Sequence, residues 1–133
     1  AGLADATVVT QVDSAALDVL EGDQAELADT FAELQTLSDY NNAFMQLESG
    51  MVDAVACDLS IAQYQMSANE GTYTMLEEPL SSEHYAVGFK KGNDALAQKV
   101  TDTLKEMYED GTVEELVNKY SDYGMNIENW VLK

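Results

Sequence analysis

The stretch Ser49-Gly50-Met51-Val52-Asp53-Ala54-Val55-Ala56-Cys57-Asp58-Leu59-Ser60-Ile61 decides how this chain folds. A polar helix end stops at Gly50, an apolar run follows over residues 52–57, and Asp58 stands where that run ends. Leu59-Ser60-Ile61 then opens another helical pattern. The grammar is helix, strand, helix, with an acid at the carboxyl end of a central strand. Open α/β sheets hold their ligands at that end. Spacing alone suits Asp58 equally to capping the next helix and to facing a ligand.

Upstream, Thr7-Val8-Val9-Thr10-Gln11-Val12 is β-branched and reads as the first strand. Asp13-Ser14 follows as a capping pair, and residues 15–20 read as a helix. A strand-to-helix turn of this kind aims backbone N–H groups and a hydroxyl above the sheet, where a carboxylate is welcome. Residues 31–37 alternate apolar and polar, the period of a half-buried strand. Ser38 or Asp39 caps the next helix, whose Tyr40, Ala43, Phe44 and Leu47 share one core-facing stripe. Gly50 ends it.

Downstream, a helix is expected from about Ser60 to Met66, then short strands over residues 73–76 and 84–89, separated by a connection containing the only proline, Pro79. Asn93 or Asp94 caps a long amphipathic helix with Leu96, Val100, Leu104 and Met107 on one stripe. Gly111 ends it, and Thr112-Val113-Glu114-Glu115 has the pattern of a capping box opening a last helix. The order β-α-β-α-β-α-β-β-α-α predicts an α/β lobe, a mainly parallel sheet flanked by helices and joined by right-handed crossovers, followed by C-terminal helices. Residues 1–89 form the α/β lobe and residues 90–133 a helical segment.

Composition narrows the functions. The 133 residues carry 25 acids against 6 basic residues, all lysine, for a net charge of −19. Residues 1–89 hold 16 of the acids and no base. Nucleic acid is excluded as a partner, because phosphate binding needs clustered Lys and Arg. The acidity reads as a solvated surface. No run of 18 apolar residues is present, no signal peptide is expected in this stretch, and a start at Ala1-Gly2-Leu3 suits a mature product or an excised piece. Cys57, the only cysteine, reads as a small buried hydrophobe in a strand. It can form no disulfide within the chain and no metal site by itself.

No phosphate loop, nucleophile elbow or catalytic set can be assembled, and His84 reads as a strand-edge residue. The chain is expected to be no enzyme and to need no cofactor or metal. Two polar features remain where an α/β site belongs: the turn Gln11-Val12-Asp13-Ser14 and the acid Asp58. One suits a carboxylate and the other an ammonium. A zwitterionic amino acid carries both.

The run Gly50-Met51-Val52-Asp53-Ala54-Val55-Ala56-Cys57-Asp58 resembles the S-G-x-V-D-A-V-x-x-D signature of the polar amino-acid solute-binding proteins of ABC importers. In order and spacing, residues 10–20 resemble that family's V-Q-x-G-S-S-A-x-x-x-L turn, and residues 85–93 its Y-A-I-A-V-x-K-G-N hinge strand. Residues 104–120 resemble its L-x-x-M-x-x-D-G-T-x-x-x-I-x-x-K-Y stretch. The resemblance implies one lobe of a periplasmic-binding-protein-like receptor that lies outside the cytoplasm, takes an amino acid and delivers it to ABC permease subunits. Residues 1–89 would be its second lobe, and residues 90–133 a return segment that packs on a first lobe whose N-terminal part is absent. By position, Asp58 matches the acid that binds the ligand's α-ammonium, and Ser14 with the backbone around Ala15 matches the turn that binds its α-carboxylate. Gln11 belongs to the same turn, and Glu83 is a further candidate for a side-chain contact. The chain departs from the pattern at Asp13, where the family has a glycine suited to the place by its φ freedom, and at Ala15, where it has a second hydroxyl. The stripe on the long helix needs a partner, so the isolated chain is expected to form a homodimer or to swap elements.

Two rival readings compete with this one. A receiver-like signalling domain would use Asp58 as phosphoacceptor and Lys90 as its lysine, but it needs an acid pair at the end of strand one, where Thr10-Gln11-Val12-Asp13 stands. A dehydratase relative of the same fold would need catalytic groups that the sequence does not show.

Overall fold

Val8 and Val9 are adjacent and both buried, at 2% and 0% exposure. Side chains of neighbouring strand residues point to opposite faces, so the first strand must be covered on both. In the computed structural model, which describes residues 2–133, it is. Strand β1 (Thr7–Gln11) leads into α1 (Ala15–Glu21), the one-turn α2 (Ala25–Ala28), β2 (Glu33–Leu37) and α3 (Tyr40–Glu48). Then follow β3 (Ala54–Val55), α4 (Leu59–Ala68), α5 (Asp94–Glu109) and α6 (Thr112–Lys119). The three strands are parallel in the order β2-β1-β3, with Val8 opposite Leu34 on one side and Ala54 on the other. Val8 packs with Ala16, Leu20 and Ala56, while Val9 packs with Ala43 and Val52. Thus α1 covers one face of the sheet and α3 the other. This is the mainly parallel α/β architecture expected.

The chain divides into two compact units, Ala1–Ser82 and Glu83–Lys133; the sequence reading placed the change at 89/90. In the first unit, α3 starts and stops on local chemistry. The Asp39 carboxylate accepts from the Asn42 backbone N–H at 2.9 Å and from Asn42 Nδ2 at 2.7 Å. Gly50, at φ 74°, turns the chain out of α3 in the left-handed conformation that glycine adopts without strain. Asp53, the one acid in the apolar run, ties β3 to β1: its Oδ2 accepts from Thr7 N at 2.8 Å, and its own N–H donates to Thr7 O at 2.9 Å. Beyond α4 the chain returns to the first face, where Leu80 packs on the Val8 cluster and its carbonyl accepts from Gln24 Nε2 at 2.9 Å.

Several expectations need correction. The strand over residues 52–57 shrinks to Ala54–Val55, because β3 is an edge strand whose ladder partners on β1 are Val8 and Val9. No strand forms over residues 73–76 or 84–89. An alternating pattern becomes a strand only beside a partner ladder. Neither stretch has one among the described residues, and Leu76, Tyr85 and Val87 are 57%, 75% and 64% exposed. The turn of helix at α2 was not foreseen; Ala-Glu-Leu-Ala favours helix but is too short to show a period. The capping box at Thr112 does not form. Gly111, at φ 86°, is the N-cap of α6, and Asp110 Oδ1 accepts from Thr112 N at 2.9 Å instead.

In the second unit Val113 and Val117 are buried. Leu104, Met107, Val113, Val117, Met125 and Trp130 line an apolar cavity of about 250 Å³. The α5 stripe is therefore partly covered within its own unit, and Leu96, at 45% exposure, is its most open member.

Two predictions follow from β1 and α3. Thr10 is fully buried and its Oγ1 donates to Ala56 O at 2.8 Å. Thr10→Val keeps the shape and leaves that carbonyl without its donor, so it should lower stability by about 1–3 kcal/mol in urea denaturation; an unchanged midpoint would show that the bond is dispensable. The Asn42 backbone N–H, first among its partners, holds the Asp39 carboxyl below its usual range. The folded chain then binds this proton more weakly than the unfolded chain. The stabilisation is complete above about pH 4 and disappears as pH falls through the lowered value. Asp39→Asn retains a capping side chain that does not titrate, so the native advantage over it should narrow between about pH 7 and pH 2.5. A constant difference across that range rejects the account.

Candidate functional site

Thr10 ends the buried part of β1, and its hydroxyl fixes the local chemistry. It has one proton, given to Ala56 O at 2.8 Å. The Ser14 hydroxyl at 3.3 Å must therefore be the donor towards Thr10 Oγ1, and the same holds for the Tyr40 hydroxyl at 3.5 Å. Ser14 Oγ also accepts from Leu17 N at 3.1 Å, as the N-cap of α1. One buried threonine thus links the end of β1, the chain leaving β3 and the starts of α1 and α3.

Beside this knot a cavity of about 330 Å³ is lined by Gln11, Tyr40, Asn41, Ser60, Ile61, Tyr64 and Gln65. These come from the last residue of β1, the first turn of α3 and one face of α4, where Ser60 and Tyr64, like Ile61 and Gln65, stand four residues apart. The cavity sits at the carboxyl ends of the strands. It falls at the small end of the range for small-molecule sites.

Of the residues singled out from sequence, Gln11 lines the cavity. Asp58 is the N-cap of α4, two residues before Ser60. Its carbonyl accepts from the Ile61 and Ala62 N–H groups at 3.1 Å each, whereas its side chain makes no capping hydrogen bond. Side-chain capping, one of the two roles left open for Asp58, is not used. Ser14 caps α1, and Ala15 is the exposed first residue of that helix. Asp13 is exposed at φ 55°, in the left-handed region where a side chain is strained and glycine is not. Glu83 is exposed and opens the second unit; the cavity is built by the first unit alone.

Cys57 lies just after β3 rather than inside it, and is half-buried rather than fully buried. Burial, and then the neighbouring Asp58 charge, push its thiol up to about 11, so it remains a protonated thiol at neutral pH. His84 is exposed and in no strand. Sequence reasoning missed Tyr40, Asn41, Ser60, Ile61, Tyr64 and Gln65. Tyr40 packs against the Val9 cluster, as its helical spacing predicts, and also lines the cavity. The signal on α4 was the pairing of polar and aromatic residues at i and i+4 directly after Asp58.

The fold belongs to a class of ligand-binding proteins. Residues 18–123 match the family of bacterial extracellular solute-binding proteins, family 3, and the chain belongs to that family. The family binds solutes and is not one of enzymes, in keeping with the sequence reading. Among its relatives, the ABC transporter glutamine-binding protein GlnH of Bacillus subtilis (strain 168) is 34% identical over 89 residues, covering 67% of this chain and 32% of that protein. The glutamate-binding protein GluB of Corynebacterium glutamicum is 30% identical over 92 residues, covering 65% of this chain and 31% of that protein. An ancestral arginine-binding protein bound to arginine superposes with a TM-score of 0.69 at 28% identity, over 89% of this chain and 51% of that one. The chain therefore spans about one third of the length of these curated relatives and half of the solved structure.

The backbone at Asp13 gives a prediction. Asp13→Val should lower stability by about 1–2 kcal/mol, since a β-branched side chain is least tolerated at positive φ. Asp13→Gly should not lower it to that degree. Equal urea midpoints for the two variants would reject strain at this turn.

Proposed function

We propose that residues 1–82 are the amino-acid-binding part of an extracytoplasmic receptor that hands its ligand to the permease of an ABC importer. The observation that carries the reading is the cavity at the strand ends, bounded by Gln11 from β1 and by the α4 face that begins two residues after Asp58. The relatives support the ligand class, since their names include glutamine-, glutamate- and arginine-binding proteins.

In this reading the Asp58 carboxylate holds the α-ammonium. The backbone N–H of Ala15 and the hydroxyl of Ser14 hold the α-carboxylate, with Ser14 turning its proton from Thr10 to the ligand. Asp13 places a negative charge beside that subsite and weakens it, so Asp58 is the stronger anchor. Gln11 forms part of the wall. Glu83 takes no part in the proposal. Residues from about 90 onward would be the return segment onto the receptor's other lobe, consistent with the stripe on α5 that remains partly open at Leu96.

One lobe buries only part of a ligand, so binding to this chain should be weak and is best followed by NMR titration with each of the twenty amino acids at millimolar concentrations. At least one should shift the amides of Gln11, Asn41 and residues 58–65 in a saturable way. Asp58→Ala should weaken that ligand by about thirtyfold or more, the loss expected when one partner of a buried charge pair is removed, with little change in thermal midpoint. Saturable binding that survives Asp58→Ala unchanged would remove Asp58 from the ammonium subsite, and no binding by any amino acid would overturn the reading itself.

A further inference from the structure

The cavity wall has a chemistry that bears on which amino acid it takes. Its polar heads are three carboxamides, from Gln11, Asn41 and Gln65, and three hydroxyls, from Tyr40, Ser60 and Tyr64. No Asp, Glu, Lys or His lines it, although the unit that builds it has fifteen acids. From this wall we infer that the side-chain end of the ligand is uncharged and polar, a carboxamide of the glutamine or asparagine class. The inference rests on the reading of the unit as an amino-acid-binding lobe.

Carboxamides and hydroxyls can each donate and accept, so together they satisfy a ligand carboxamide at its oxygen and at its nitrogen. They cannot neutralise a charge. Taking a carboxylate or guanidinium out of water costs several kcal/mol unless an opposite charge meets it. For a carboxylate the surroundings add to the penalty, because this unit carries only negative side chains.

A cationic side chain is the stronger rival, since the same surface attracts it. That attraction is long-range, and salt limits it to about 8 Å at physiological ionic strength. Thirteen of the acids in the unit are exposed, and the remaining two flank the cavity in sequence. Asp39, next to Tyr40, has its carboxylate engaged by Asn42 N, Asn42 Nδ2 and Ser38 Oγ at 2.9, 2.7 and 3.3 Å. Asp58 is needed for the α-ammonium. Neither is left to pair with a guanidinium.

The test is an NMR titration of the 133-residue chain with glutamine, asparagine, glutamate, lysine and arginine at matched salt. Glutamine or asparagine should bind about tenfold or more tighter than each charged amino acid. Gln11→Glu should reverse the order, weakening the carboxamide ligand and strengthening lysine and arginine. Asn41→Asp, on the exposed first turn of α3, should do the same and serves if the β1 variant does not fold. Arginine, lysine or glutamate binding the native chain as tightly as glutamine overturns the inference while leaving the amino-acid reading intact. Binding of none of the five, with another amino acid saturating, overturns the inference alone. Binding of no amino acid overturns both.

Discussion

Everything in the first unit depends on β1 being buried on both faces and then ending in a buried hydroxyl. Val8 and Val9 commit the strand to covers of opposite sides, supplied by Ala16 and Leu20 of α1 and by Ala43 of α3. Thr10 follows with no exposure at all. A buried hydroxyl without partners would cost about 1–3 kcal/mol, so its neighbours are constrained to reach it. Ala56 O accepts its proton and Ser14 turns towards it. The carboxyl ends of two strands and the starts of two helices are brought together around one oxygen, and the cavity opens beside that point.

What could be read from the sequence was what short-range chemistry settles. The β-branched run that opens at Thr7, the acid Asp39 before α3 and the glycines at 50 and 111 each carry their instruction within a few residues, although the first strand stops at Gln11 and leaves Val12 out. The strands over residues 73–76 and 84–89 could not be judged that way. Alternation describes one face of a chain, while a strand exists only through the N–H and C=O groups of a neighbour. β3 is likewise shorter than its apolar run, since only Ala54 and Val55 pair with β1.

The candidate site was legible in part for the same reason. Gln11 stands out because it is the last residue of β1, and a strand end can be read from one segment. Tyr40, Asn41, Tyr64 and Gln65 face the same cavity from two helices, and which helix faces meet is fixed only by the order β2-β1-β3. Ser14 shows a further gap. Its type and place suggest a ligand contact, yet its proton is directed inward by Thr10, whose own proton is spent on Ala56 O. Counting protons at a buried hydroxyl needs the structure.

The acids of the first unit fall into two groups. Thirteen of the fifteen in residues 1–82 are exposed, where water and salt screen them. The two that are not, Asp39 and Asp58, are the N-cap residues of α3 and α4, the two helices whose first turns line the cavity. Both gain from the positive end of a helix. Asp39 spends its carboxylate on its own helix, through two hydrogen bonds to Asn42. Asp58 caps α4 through its carbonyl and gives the helix no side-chain bond. The two carboxylates thus stand at matching helix starts and differ in whether they bond to their own helix.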